Sequence, residues 1–210
     1  KISSALISVF DKTGIEPIIH RLNELGVTLY STGGTADFIQ KLGVKVIDIS
    51  ELTGYPPVFH GRVKTLHPAV FGGILYRRDN SEDLSQTKEF NIRAIDLVVV
   101  DLYPFEENAR EISDERELSE YIDIGGPALL RAAAKNYHQM TVISDPADYA
   151  WISEKSQMST ADNKKLAAKV FGHISSYDSL IARTLRSDIF DFKKVSFSSE
   201  VISELRYGEN

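Results

Sequence analysis

The sequence predicts an α/β protein: a three-layer, mostly parallel sheet with helices on both faces. Three observations carry that reading. Short apolar runs alternate with segments of helical period through the first fifty residues. The run Leu97-Val98-Val99-Val100 is solidly apolar, as a central parallel strand covered on both faces should be. Gly26 and Gly43 stand where helices would end. A strand–helix–strand–helix–strand order then implies parallel pairing through right-handed crossovers.

The elements follow in order. Ala5-Leu6-Ile7-Ser8-Val9 reads as a buried strand, and Asp11-Lys12-Thr13-Gly14 as the turn after it. Ile15, Ile18, Ile19, Leu22 and Leu25 recur at helical spacing before Gly26. Val27-Thr28-Leu29-Tyr30 is a second strand, 31–35 a turn, and Phe38, Ile39 and Leu42 mark a short helix closed by Gly43. A third strand is expected at 44–49. Residues 51–72 break the pattern with Gly54, Pro56, Pro57, Gly61, Pro68 and Gly72, and are predicted as a long loop. About 20 residues of loop inside a compact domain is unusual and often functional. Further strands are expected at 73–76, 96–102 and 140–144. Helices are expected from Pro104-Phe105, near 115–121, and from Ile124 onward, where Pro127 suits a first helical position. The stretch 146–187 is helical by pattern, through Leu166, Val170, Ile174, Tyr177 and Ile181. Residues 191–210 show no clear core face, so one domain is expected over 1–190 with a linker beyond it.

Composition excludes several classes of function. At 210 residues, with 42% hydrophobic and 26% charged, the chain can bury a full core without covalent staples. It has no cysteine, which removes disulfides, thiolate metal sites and cysteine nucleophiles. A net charge of −6 argues against a nucleic-acid partner, so any anionic ligand needs a local basic cluster. No apolar stretch approaches the roughly 18–20 residues that span a bilayer, so no membrane association is expected. No signal-peptide pattern opens the chain, and the expected location is cytoplasmic. His20, His60, His67, His138 and His173 lack metal-ligand spacing, and no serine sits in a G-x-S-x-G elbow. No metal site is expected.

Several segments have the makings of a site. Ser31-Thr32-Gly33-Gly34-Thr35 joins a strand to a helix. Glycines there let N–H groups converge beside a helix start, which makes a phosphate cradle. The plainer alternative is a tight turn with Thr35 as N-cap. Asp11 and Lys12 follow the first strand, at the sheet edge where ligands of open α/β sheets bind. Lys12 alone could equally be a solvated lysine. Gly61-Arg62-Val63-Lys64-Thr65-Leu66-His67-Pro68 gathers two cations in a shaped loop. If it is extended, Arg62 and Lys64 face one anion; otherwise it is a basic surface loop. Asp101-Leu102-Tyr103 ends the apolar strand, and Tyr103 either serves the site or packs on the rim. Asp123 precedes a helix N-terminus and Lys135 ends the same helix, both also readable as complements to the helix dipole. A straight helix rises roughly 13 Å from Gly126 to Lys135, so local geometry does not unite Lys135 with Asp123.

Taken in order, these segments, with Ile7 to Gly14, Leu102-Tyr103-Pro104-Phe105, Ile122-Asp123-Ile124-Gly125-Gly126 and Leu130-Arg131-Ala132-Ala133-Ala134-Lys135-Asn136, resemble the IMP cyclohydrolase domain of the bifunctional enzymes that join AICAR transformylase to IMP cyclohydrolase. The resemblance covers essentially the whole chain. Leu205-Arg206-Tyr207-Gly208-Glu209-Asn210 is similar to the opening of the transformylase domain, so the formyl-transfer half is expected to be missing. The resemblance implies a fold shared with methylglyoxal synthase and with a carbamoyl-phosphate synthetase regulatory domain. It implies a reaction, dehydrative ring closure of the formylated carboxamide ribotide FAICAR to IMP. No cofactor is implied for that step, 10-formyltetrahydrofolate serving only the missing half, and a homodimer is implied for the full-length enzyme. It implies Lys135 as proton donor and acceptor, Asp123 as the group orienting the carboxamide, and Lys64 and Tyr103 as oxyanion stabilisers. Phe10, Asp11, Lys12, Thr32, Gly33, Gly34, Thr35, Arg62, Thr65, Val100, Asp101, Ile124, Gly125 and Gly126 would hold the nucleotide. The family commonly has serine at position 10 and asparagine at position 101, where this chain has Phe10 and Asp101. The competing readings are methylglyoxal synthase and a non-catalytic nucleotide-binding regulatory domain.

Overall fold

A computed structural model of the chain describes residues 2–154 and 158–186, together with Ser199. The predicted linker and the transformylase-like end, within 191–210, otherwise lie outside the described residues. Five strands are described: β1 (Ser4–Ser8), β2 (Thr28–Ser31), β3 (Ile47–Asp48), β4 (Leu97–Val100) and β5 (Thr141–Ile143). They form one all-parallel sheet in the order β3-β2-β1-β4-β5. The helices are α1 (Glu16–Glu24), α2 (Gly33–Lys41), α3 (Ile49–Thr53), α4 (Pro68–Leu75), α5 (Ser81–Glu89), α6 (Phe105–Glu111), α7 (Glu115–Ser119), α8 (Gly125–Lys135), α9 (Ala150–Glu154) and α10 (Thr160–Thr184). Short 3₁₀ turns lie at Phe59–Gly61 and Pro146–Asp148.

The two-residue period of the strands divides the core into two layers. Leu6, Val98, Val100 and Val142 face the side covered by α3, α4, α8 and α10. Ala5, Ile7, Leu97, Val99 and Ile143 face the side covered by α1, α2 and α9. The three-layer expectation therefore holds. All four residues of β4 are buried, each contributing roughly 1.5–3 kcal/mol by leaving water, which is why the run has no polar member.

The strand order positions the site. The chain steps outward from β1 through β2 to β3, then crosses back to β4 on the other side of β1. Succession reverses between β1 and β4, so the loops leaving their carboxyl ends diverge and open a crevice. The last pair in that register is Ser8 with Val100.

Three expectations are corrected. Residues 73–76 are not a strand but belong mostly to α4, which begins inside the predicted loop. Pro68 takes its first turn, and His67 Nδ1 accepts the Ala69 N–H at 3.1 Å as a cap. Gly73 serves close packing: a Cβ there would stand 2.3 Å from the Arg93 carbonyl oxygen. The third strand is only two residues, because Asp48 forms a capping box with Glu51 and starts α3. Pro127 occupies the third position of α8 instead of the first, still within the turn whose N–H groups have no helical partner. Nothing in the sequence marks α5, which buries no residue and so offers no apolar period.

Candidate active site

A cleft of about 990 Å³ opens at the carboxyl ends of β1 and β4, at the switch point of the sheet. Its first wall is the start of α2. Thr35 Oγ1 accepts the Val9 N–H at 3.1 Å and donates to the Val9 carbonyl at 2.8 Å, fixing α2 against the end of β1. The N-cap is Thr32, whose side chain makes no capping bond. The alternative with Thr35 as cap is thereby excluded. Gly33, at φ +53°, lets the backbone turn into the helix. A Cβ on Gly33 would lie 3.5 Å from Lys64 Nζ, and one on Gly34 would lie 4.0 Å from Lys12 Nζ. Two ammonium groups thus flank a helix N-terminus without a side-chain cap, an arrangement suited to a phosphate.

The second wall is the loop before α4. An antiparallel bridge between Val58 and Val63 pinches it, with Phe59 at φ +53° and Gly61 at φ +87° making the turn. Arg62 is helical in φ and ψ, so 62–64 is not extended. Lys64 reaches toward α2, whereas Arg62 forms an exposed ion pair with Glu120 across the cleft. The two cations therefore do not address one point from the same strand face. Thr65 is buried beside Gly125, where a Cβ would stand 3.1 Å from its Oγ1.

The third wall follows β4. The Asp101 carboxylate accepts the backbone N–H of Phe10 and, at 2.9 Å, that of Asp11. It clamps the loop after β4 to the loop after β1, directly over the switch point. Burial pushes this carboxyl up, and the two N–H donors oppose the shift. Lys12 Nζ donates to the Phe10 carbonyl at 2.8 Å, closing the same turn. The Phe10 ring meets Tyr103 edge-on at a centroid distance of 5.5 Å. Burial pushes the Tyr103 phenol up, helped by the charges of Asp123 and Asp101, so it remains a hydrogen-bond donor at neutral pH.

The fourth wall is the approach to α8. Asp123 accepts the Gly126 N–H at 3.0 Å. Burial pushes its carboxyl up, the Gly126 and Gly125 N–H groups pull it down, Asp101 raises it and Lys64 lowers it. The Asp123 and Lys64 charges therefore feel one another across the cleft.

Most of the residues expected from the sequence meet here, with three exceptions. Asp11 turns away to bind Thr13, through its N–H at 2.9 Å and its hydroxyl at 2.7 Å. Gly33 sits just behind the lining. Lys135 is the substantive correction: it is exposed, at the far end of α8, and does not line the cleft. The eleven residues of α8 run about 15 Å from the wall that carries Asp123. Glu120, Phe59 and Ile122 also line the cleft, although no motif in the sequence marks them for a site. Glu120 is one acid in an acid-rich surface stretch, and only the tertiary fold brings it opposite Arg62.

A parallel α/β domain with a basic helix-N-terminal pocket and two carboxylates at its switch point defines a class of α/β domain whose cleft has the geometry of an anion site. Residues 14–128 match the MGS-like domain family, and the chain belongs to that family. Residues 133–210 match the AICARFT/IMPCHase bienzyme family. The chain is 49% identical over its whole length to the bifunctional purine biosynthesis protein PurH of Bacillus subtilis. It is 48% identical over its whole length to the protein of that name from Acetivibrio thermocellus, and 43% identical over 98% of its length to that of Aquifex aeolicus. It spans 42% of the length of these curated relatives. The crystal structure of ForH superposes with a TM-score of 0.78 at 34% identity, covering 87% of this chain and 96% of that one.

Proposed function

We propose that this chain is an IMP cyclohydrolase domain, closing the pyrimidine ring of FAICAR with loss of water to give IMP. The observation that carries the proposal is the meeting of Lys64, Tyr103 and Asp123 around one cleft, beside an anion pocket formed by Lys12 and the start of α2. The family matches and the PurH relatives support the same reading.

The chemistry asks for what these groups offer. The carboxamide nitrogen attacks the formyl carbon, a C–N bond forms, and negative charge grows on the formyl oxygen. Asp123 receives the proton from the attacking nitrogen, a task favoured by a carboxylate whose basicity burial has raised. Lys64 and the neutral Tyr103 phenol stabilise the oxyanion. The oxygen takes up two protons, one from the carboxamide nitrogen by way of Asp123 and one from the former formamide nitrogen, and leaves as water while that nitrogen forms the double bond to the former formyl carbon, giving IMP. Both reacting groups sit on one imidazole ring, so fixing the phosphate and ribose aligns them and removes much of the entropic barrier. Lys135 is given no step, since α8 holds it away from the cleft. In this reading the ring closure needs no cofactor, the formyltetrahydrofolate chemistry belongs to the part of the PurH relatives beyond this chain, and the protein works in the cytoplasm, as a homodimer in its full-length form. Among the described residues no helix is long and apolar enough to cross a membrane.

The test is IMP formation from FAICAR by the chain itself. Steady turnover that Lys64→Met abolishes supports the assignment. Nucleotide binding without turnover would instead identify a regulatory module, and methylglyoxal formed from dihydroxyacetone phosphate would identify the other enzyme of this fold.

A further inference from the structure

We infer that Tyr177, on α10, is a positioning residue that holds Asp123 and Tyr103 in place from behind the cleft, an inference that rests on the cyclohydrolase reading above. Tyr177 is buried at 8% exposure and does not line the cleft. Its hydroxyl accepts the backbone N–H of Asp123 at 2.8 Å and donates to the Tyr121 carbonyl at 3.4 Å. Its ring meets Phe105 edge-on, with centroids 6.2 Å apart. Phe105 is fully buried and lies two residues beyond Tyr103. One side chain therefore braces both segments that carry reacting groups into the cleft. Together with Leu118, Tyr177 and Phe105 form a small core of their own, apart from the two layers against the sheet.

The hydroxyl matters more than the ring volume. Residues 121–123 run between α7 and α8 and belong to neither. The Asp123 N–H precedes the first turn of α8, so no helical carbonyl can receive it. Tyr177 supplies the acceptor. A phenylalanine would fill the same space and satisfy packing, yet would leave that N–H without its partner. The source of the brace is also informative. The MGS-like match ends at 128, whereas α10 falls within the stretch matching the bienzyme family. The support thus comes from the part of the chain beyond the shared nucleotide-cleft domain.

The groups facing Asp123 define what loosening would do. Lys64 faces it from the loop before α4, Asp101 and Tyr103 from the end of β4, the Gly125 and Gly126 N–H groups from α8, and Tyr177 from α10, with Asp178 beside it. The α8 N–H groups hold the carboxyl down against burial. If the turn relaxes, those bonds lengthen and the carboxyl titrates at higher pH.

Tyr177→Phe in the chain tests the brace. The thermal midpoint should fall by no more than a few degrees, as one lost hydrogen bond allows, and KM for FAICAR should stay within about twofold, while kcat falls about 10- to 100-fold, the scale of a misplaced reacting group. The acid limb of the kcat/KM profile should move to higher pH. Tyr177→Leu should lower kcat at least as far and the thermal midpoint as well. A Tyr177→Phe variant that keeps wild-type kcat and an unmoved acid limb overturns the brace alone, as does a loss of kcat matched by loss of folded protein. A wild-type chain that forms no IMP overturns the cyclohydrolase reading and the brace with it.

Discussion

Alanine at position 126 should leave the fold intact and strip the site of its activity. Gly126 is the second residue of α8 and has no left-handed backbone to protect. Helix propensity alone favours alanine there, by up to about 1 kcal/mol. The obstacle is a single contact. A Cβ would stand 2.2 Å from Asp123 Oδ2 and 3.1 Å from its Cγ. An oxygen that close must retreat by about 1 Å to reach an ordinary contact distance. The atom that yields is the end of a side chain, so the strain is relieved locally and the helix stays. The carboxylate then loses the 3.0 Å bond from the Gly126 N–H. A hydrogen bond to a charged group is worth about 1.5–3 kcal/mol, or roughly 10- to 150-fold in rate if it acts at the transition state. A 1 Å misplacement costs about 100-fold by itself. Turnover of FAICAR should therefore fall about 100-fold, with a melting temperature lowered by no more than a few degrees, the helix propensity partly offsetting the lost bond, and affinity for IMP changed by less than about threefold. Rate, melting curve and binding isotherm are read on the same preparation. Wild-type turnover in Gly126→Ala would refute the placement of Asp123 at the reacting centre.

The other predictions concern the clamp, the packing and the acid range. Asp101→Asn keeps one acceptor and turns an NH₂ toward the second N–H of the Phe10–Asp11 turn, so IMP affinity measured by calorimetry should drop about 5- to 30-fold, or about 1–2 kcal/mol. An unchanged Kd would remove the clamp from the binding site. Gly73→Ala drives a Cβ against the Arg93 carbonyl, a backbone atom that cannot swing aside, and should cost about 1–3 kcal/mol of stability in urea unfolding with no effect on KM. For pH, burial raises the Asp123 carboxyl, so kcat/KM should fall with decreasing pH at a point above the exposed carboxylate value of 3.8, and an acid limb at or below that value would contradict the burial. The linkage to stability has the opposite sense. A raised folded pKa means that ionised Asp123 opposes folding fully above it, less as pH falls from there toward the unfolded value of 3.8, and not at all below that value. Asp83, held at about 2 by Arg77, contributes stability that is present above 3.8 and disappears as pH falls toward 2, a dependence that Asp83→Asn should flatten in melting curves taken over that range.

The sheet was legible because its residues are apolar in a pattern that only burial explains. Leu97 to Val100 could be read as central, and Gly26 and Gly43 as helix ends, from local physics alone. Residues 44–76 were harder. There the same glycines and prolines that announce loops also start α4 and let it pack against 92–95, and nothing in a local window separates a glycine needed for a turn from one needed for close approach. For the cleft, Lys12, Thr32, Gly34 and Thr35 were legible as candidate anion ligands because each follows a strand of the predicted sheet edge, and Lys64 as a cation in a shaped loop. Lys135 was not, since its place depends on which end of α8 meets the cleft. Tyr177 and Glu120 left no sequence signal, because one acts from a helix more than fifty residues downstream and the other gains meaning only from its partner across the cleft.

In the proposed function an acidic protein with two carboxylates in its cleft must still hold an anion, and the arrangement of charges is suited to that. Asp101 spends its charge on the N–H groups of Phe10 and Asp11, and Asp123 spends part of its own on the start of α8. The start of α2 has no such carboxylate, and Lys12 and Lys64 stand beside it. The cleft therefore has a positive end at α2 and an acidic end at α8, with Lys64 coupled to both. A nucleotide monophosphate entering this field has one favourable direction, phosphate toward α2 and base toward Asp123 and Tyr103. That polarity also explains how the chain tolerates an aspartate at position 101. A carboxylate there would repel the phosphate if it were free, but bound to two backbone N–H groups it becomes part of the scaffold. Phe10 has only its backbone N–H in that clamp, so the missing serine hydroxyl removes nothing from it, and its ring is left to pack against Tyr103. The two departures from the family pattern are thus parts of one local arrangement at the junction of β1 and β4.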